Sequence, residues 1–211
     1  AMFLGGVQIA GAAVRWDPAS GKLKSDASVV SVTLQDLVGR RYLHRMLQLT
    51  GQVAEFSEDG KRITGGQVWQ LCDLVAELNL PRIVVETNGI GQFAPAVLKA
   101  CLKQRRLICG VAEEPAVANK AKRILEAWEP LLQSAGQLWA HVSVLRGPLW
   151  DQMKEWNPAA KNQADDYLDA GAGSLTDMPE RIGKIVGNPH ITARDDWGAG
   201  GGEHEVVVER W

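Results

Sequence analysis

Three acidic features stand where a fold has no need of acids. Asp17 closes the apolar segment Val7 to Trp16, Glu86 closes Ile-Val-Val-Glu (83–86), and Asp165, Asp166 and Asp169 crowd Ala164-Asp-Asp-Tyr-Leu-Asp-Ala170. A carboxylate at the carboxyl end of a buried strand lies where ligands collect in α/β sheets. Singly, each such acid also reads as a solvated strand end, and Asp17 before Pro18 as a turn starter. Asp166 and Asp169 are three apart and therefore neighbours on one helix face, where like charges repel unless a cation lies between them. A capped helix start with acids drawn to the dipole accounts for one or two aspartates more easily than for three in five residues. Asp165 is four residues from Asp169, so spacing alone leaves Asp165 and Asp166 both open; we assign Asp166 to the ligand set and Asp165 to capping.

Hard oxygen donors without accompanying histidines suit Mg²⁺ or Mn²⁺ rather than zinc. His44, His141, His190 and His204 show no HxxxH or HExxH spacing. Four acids, Asp17, Glu86, Asp166 and Asp169, can hold two ions about 3.5–4 Å apart, the arrangement used for in-line phosphodiester displacement. Basic groups for phosphate contact are at hand in Asn119-Lys120-Ala-Lys122-Arg123, which opens a helix, and in Lys99, Lys103, Arg105 and Arg106 at the end of the preceding one. A solvated helix face explains the first run equally well, and the helix dipole alone explains the second.

The elements that must position these groups follow from hydrophobic pattern. Val7–Trp16, Ser28–Leu34 and Tyr42–Leu49 read as strands joined by short, turn-rich connections, an antiparallel meander. Val68, Leu71, Cys72, Val75 and Leu78 fall at helical spacing, so 67–78 is an amphipathic helix that Pro81 terminates. Strand 82–87, helix 93–105, strand 108–112, helix 119–135, strand 138–145 and helix 165–175 complete the order. Helices alternating with buried strands imply parallel crossovers. The expectation is an α/β fold, a ribonuclease-H-like mixed sheet in which a three-strand antiparallel meander is continued by parallel strands and flanked by helices. Residues 1–194 form that domain, and the Gly-rich 195–211 a tail or long hairpin.

With 211 residues, 45% hydrophobic and 23% charged, the chain can bury one good core and is not disordered. A net charge of −2 counts against a nucleic-acid partner unless the basic groups gather on one face. No apolar run is long enough to span a membrane, and the start lacks a basic signal region; Ala1 before Met2 reads as a cloning remnant. Cys72, Cys101 and Cys109, without CxxC spacing, read as buried reduced thiols. Trp69, Trp128, Trp139, Trp150 and Trp156 read as core or half-buried packing residues rather than base-stacking platforms.

Trp16-Asp17-Pro18-Ala19-Ser20-Gly21-Lys22 with Ser25-Asp26-Ala27-Ser28-Val29, then Val85-Glu86-Thr87-Asn88-Gly89, then Asp165-Asp166-Tyr167-Leu168-Asp169-Ala170 resemble, in order, the acidic motifs of the nuclease domain of tailed-bacteriophage terminase large subunits. The resemblance covers roughly residues 7 to 176. It implies two-metal, Mg²⁺- or Mn²⁺-dependent cleavage of double-stranded DNA during viral genome packaging, with little sequence preference. Asp17, Glu86, Asp166 and Asp169 would be catalytic and metal-binding, Lys120, Lys122 and Arg123 DNA-binding, and Asp26 an outer-shell acid. The ending Asp-x-x-Asp-Ala is shared with Holliday-junction resolvases and favours Asp166 and Asp169 over Asp165. The implied partners are DNA, a terminase ATPase domain, the small subunit and the portal, in the host cytoplasm at the procapsid. No GxxxxGK[ST] occurs, so the chain reads as a nuclease domain separated from its ATPase. Alternatives are a resolvase or transposase-type nuclease of the same fold, and a non-catalytic portal-docking module.

Overall fold

In the computed structural model, residues 2–19, 27–87, 92–115, 119–160, 163–177 and 179 are described. A seven-stranded mixed sheet forms the centre, with its main path in the order β8-β7-β2-β3-β4-β9. β2 (Val7–Asp17), β3 (Ser28–Asp36) and β4 (Arg41–Leu49) are the antiparallel meander; β7 (Arg82–Glu86) runs parallel to β2, β8 (Gly110–Glu114) parallel to β7, and β9 (Leu138–Ala140) parallel to β4. β1 (Met2–Leu4) pairs with the start of β2, and β5 (Glu55–Phe56) with β6 (Ile63–Gly65) forms a separate hairpin. The expected mixed α/β sheet, meander first and parallel strands after, is the fold.

Alternation along β2 assigns its two faces. Ala12, Val14 and Trp16 point into a core closed by α1 (Gln67–Leu78) and α2 (Ala94–Gln104). Arg15 and Asp17 fall on the opposite face by the two-residue period of a strand. That second core is built on Val29, Leu43, α3 (Lys120–Gln133), α4 (Val142–Leu145), α5 (Pro148–Glu155) and α6 (Asp166–Thr176). α6 lies across β2, β3 and β4 and packs on α3. Its run Ala170-Gly-Ala-Gly-Ser174 is what permits so close an approach: a Cβ on Gly171 would lie 2.5 Å from Trp128. The Ser174 hydroxyl then hydrogen-bonds Ser31 at 2.7 Å and Thr33 at 2.8 Å, fixing the helix on β3.

Most expected elements appear within two residues of their expected bounds, with one clear exception. Residues 138–145 are not one strand. Pairing with β4 stops at Ala140, and His141 turns the chain by accepting Ser143 N–H through Nδ1, which starts the short helix Val142–Leu145. α1 ends at Leu78 because Asn79 takes the left-handed conformation (φ 49°), two residues before Pro81. Cys72 and Cys101 are fully buried as expected, whereas Cys109 is only half-buried. Trp139 and Trp150 are about half-exposed, Trp150 lying under the Lys154 ammonium. Residues 195–211, with Asp26, His190 and His204, lie outside the described residues.

Candidate metal centre

Two strand ends and one helix start supply the site. The parallel register Arg15↔Val84 and Trp16↔Val85, carried one step further, sets Asp17 beside Glu86 at the carboxyl ends of adjacent strands. The β2 end is anchored from the other face: the Trp16 indole donates to Ser28 Oγ at 3.0 Å, Ser28 meets Gln67 Oε1 at 2.8 Å, and Gln67 Nε2 donates to the carbonyls of Ala19 and Gly51. Asp169, in the first turn of α6, completes the group. One carboxylate oxygen from each of Asp17, Glu86 and Asp169 lies within 4.8 Å of the others. Asp169 and Glu86 are buried at 3% and 7% exposure.

The remaining sequence-predicted residues are distributed around this triad. Asp166 accepts the Ala27 N–H at 3.0 Å and so ties the β3 entry to α6; it is not within the triad. Asp165 occupies the cap position of α6, but its side chain makes no capping bond there and pairs with Lys120 at 2.6 Å instead. The first-turn N–H groups of Tyr167 and Leu168 are capped by Gln152 Oε1 at 3.0 and 3.1 Å, a long-range substitute that leaves Asp165 free to meet a cation. Lys120 and Arg123, expected on DNA, point into the acids. Arg123 Nη2 lies 2.5 Å and Nε 2.9 Å from Asp169 Oδ1, and Nη1 lies 3.1 Å from Glu86 Oε2; Lys120 Nζ is 3.4 Å from Asp169 Oδ2. Lys122 faces away, exposed beside Glu126. Of the second basic group, Lys99 pairs with Glu113 and Arg105 with Asp73 and the Trp69 ring.

Three residues absent from the sequence expectation belong here. Arg15, 3% exposed, reaches Glu86 Oε2 at 3.3 Å, Glu114, and Asp177 at 3.7 Å. Glu114 ends β8 in register with Glu86, and Asp177 follows α6. An arginine between the apolar residues Val14 and Trp16 is a signal that a partner exists, since a buried charge needs one, without saying which residue it is.

Electrostatics single out Asp17. Burial, then the charges of Glu86 and Asp169, push its carboxyl up to about 7. Among the described residues no hydrogen bond or ion pair reaches that carboxyl, while Glu86 and Asp169 have cations on them. Asp177 is raised to about 6 by burial, partly offset by Arg15. Burial pulls Lys120 down, but Asp169 and Asp165 outweigh it and the net shift is upward. A partly buried carboxyl with no ion pair of its own among the described residues, Lys120 acting on it only at a distance, set beside two further carboxylates, is the composition a hard divalent ion fits. Mg²⁺–O bonds of about 2.0–2.1 Å span oxygens up to about 4.2 Å apart, and Ca²⁺–O bonds of about 2.3–2.6 Å up to about 5 Å. Three oxygens within 4.8 Å of one another are of the size a hard divalent ion requires.

No family model matches the chain, and no curated protein matches it in sequence. Among solved structures the crystal structure of the yeast mitochondrial Holliday junction resolvase Ydc2 is similar, with a TM-score of 0.41 and 11% identity over 78% of each chain. No helix among the described residues is long and apolar enough to cross a membrane.

Proposed function

We propose that this protein is a divalent-metal-dependent nuclease that hydrolyses phosphodiester bonds of double-stranded DNA. The carrying observation is the convergence of Asp17, Glu86 and Asp169 within 4.8 Å, with Asp17 making no ion pair among the described residues. Asp17, Glu86 and Asp169 would hold the metal, with Asp166 next to them as the fourth acid for a second ion. Bound there, Mg²⁺ or Mn²⁺ supplies Lewis-acid polarisation of a phosphoryl oxygen and a low-pKa water. The chain's own contribution is to fix the donors. Asp17 and Glu86 are set by the β2–β7 register, Asp169 by the packing of α6, and Glu86 is further held by buried Arg15. Lys120, Lys122 and Arg123 on the first turn of α3 are the groups for backbone phosphates, which Lys and Arg bind without reading sequence.

The finer reading is a terminase nuclease that cuts DNA during viral genome packaging, its partners the ATPase domain, small subunit and portal, in the host cytoplasm. It rests on the order of the three acidic motifs in the sequence and is supported by the proximity of one acid from each, Asp17, Glu86 and Asp169. Nicking of supercoiled plasmid with Mn²⁺, abolished by chelation and by Asp17→Asn in a variant that still unfolds cooperatively and melts no lower than the parent, is the test. Cutting that survives Asp17→Asn, or none with any divalent ion, removes the proposal; preference for branched over linear duplex would point to a resolvase.

A further inference from the structure

Two arginines meet on one oxygen, Glu86 Oε2, and their surroundings differ. Arg15 cannot leave. It is 3% exposed, bonded also to Glu114 and Asp177, and hemmed by Gly173, whose absent Cβ is the space its side chain fills. Arg123 sits in the first turn of α3, four residues after the capping Asn119, with its side chain 12% exposed. Its Nη1, though 3.1 Å from Glu86, has no aligned hydrogen-bond acceptor and is buried. It touches Glu86 Oε2 and Asp169 Oδ1, so one guanidinium bridges two of the three carboxylates of the triad, while Lys120 covers the other Asp169 oxygen. A divalent ion bound by these carboxylates competes with that guanidinium for the same groups.

We infer that Arg123 is an exchangeable counter-cation: it neutralises Glu86 and Asp169 in the DNA-free protein, and a backbone phosphate draws it off as metal takes its place. This rests on the nuclease reading and adds the regulation of its site. The chemistry balances as an exchange of ionic contacts. Carboxylates trade a guanidinium for a metal, and the guanidinium trades carboxylates for phosphate, which its planar fork fits as well. The consequence is reciprocal linkage: DNA tightens metal binding, and metal tightens DNA binding by the same factor. A nuclease built this way keeps its metal site closed until substrate arrives.

Calorimetric titration of the full chain with Ca²⁺, alone and with a short DNA duplex verified intact afterwards, tests it. Arg123→Gln is expected to bind Ca²⁺ at least tenfold more tightly than the parent without DNA, and to gain little further when duplex is added. The parent gains at least tenfold from duplex. Lys122→Gln, the same charge change on an exposed neighbour, should leave DNA-free Ca²⁺ binding within about twofold, which separates displacement from a general field effect. Arg123→Lys, which keeps charge but loses the fork, should fall between and serves if the glutamine variant fails to fold. Arg123→Gln no tighter than the parent, with Asp17→Asn abolishing binding, overturns the exchange and leaves the metal site standing. Binding unchanged by Asp17→Asn overturns the site itself.

Discussion

Gly173 of α6 and Arg15 of β2 occupy one space: a Cβ on Gly173 would lie 2.6 Å from Arg15 Cγ and 2.9 Å from Cδ and Nε. Because Arg15 is buried and tied at its far end to Glu86, Glu114 and Asp177, it cannot swing aside to make room. Gly173→Ala is therefore expected to cost about 1–3 kcal/mol, the range for overpacking a filled interior. A double-mutant cycle with Arg15→Ala should show strong coupling, because removing the arginine side chain relieves the clash. Additive melting shifts would mean that the two do not constrain each other.

The pH dependence of the metal-free protein should carry the mark of Asp17. Folded, its carboxyl holds a proton up to about 7; unfolded, it releases it near the ordinary 3.8. Between those values the folded state binds more protons, so stability falls as pH rises from about 4 to 7. Asp17→Asn removes this slope and should raise the metal-free melting temperature at pH 8 by several degrees, at about 2–4 °C per kcal/mol for a chain of this size. Saturating Ca²⁺ should reverse the slope in the parent by favouring the ionised form. A parent protein equally stable at pH 5 and pH 8 without metal would refute the assignment.

Asp17 and Glu86 are legible in the sequence itself, because strand period and polarity mark a terminal acid without any knowledge of what lies across the sheet. Helix 67–78 is legible to the residue from its apolar spacing. Arg15 is not, since its partners lie 71 and 99 residues away and only the sheet register brings them together. The choice between Asp165 and Asp166 beside Asp169 is open in the sequence for the same reason. It depends on which acid meets Lys120, which meets Ala27 N–H and which faces β2 and β7, all long-range facts. The basic run at 120–123 reads as one surface, but a helix turns about 100° per residue, and Lys122 faces away from the acids that Lys120 and Arg123 meet.

Ser174 should matter out of proportion to its size. It is fully buried, and its hydroxyl joins Ser31 and Thr33 across the α6–β3 contact. Ser174→Ala leaves two buried hydroxyls short of a partner, a loss of about 1–3 kcal/mol. Since α6 carries Asp169, Ca²⁺ affinity should fall along with the melting temperature. A variant that melts lower yet binds Ca²⁺ unchanged would show that the triad tolerates movement of this helix.

Neighbouring lysines on α3 should differ in how they engage DNA when metal is absent. Lys122 is about two-thirds exposed and, among the described residues, held only by an exposed pairing with Glu126 at 3.6 Å, the kind worth little. Lys120 is held by Asp165 at 2.6 Å and Asp169 at 3.4 Å, and if it moved the buried Asp169 would keep only Arg123 among the described residues. Each lysine that contacts a phosphate adds about 0.9 to the slope of log affinity against log salt. In chelator, Lys122→Gln should therefore flatten that slope by about 0.9, and Lys120→Gln by clearly less. With Ca²⁺ present the carboxylates are satisfied by the ion, Lys120 is released, and the two substitutions should converge. Fluorescence anisotropy with a labelled duplex, over a salt series with and without Ca²⁺, measures all four slopes. Equal flattening in chelator would mean that DNA alone pulls Lys120 off the acids, and no flattening in either variant would take α3 off the DNA-binding face.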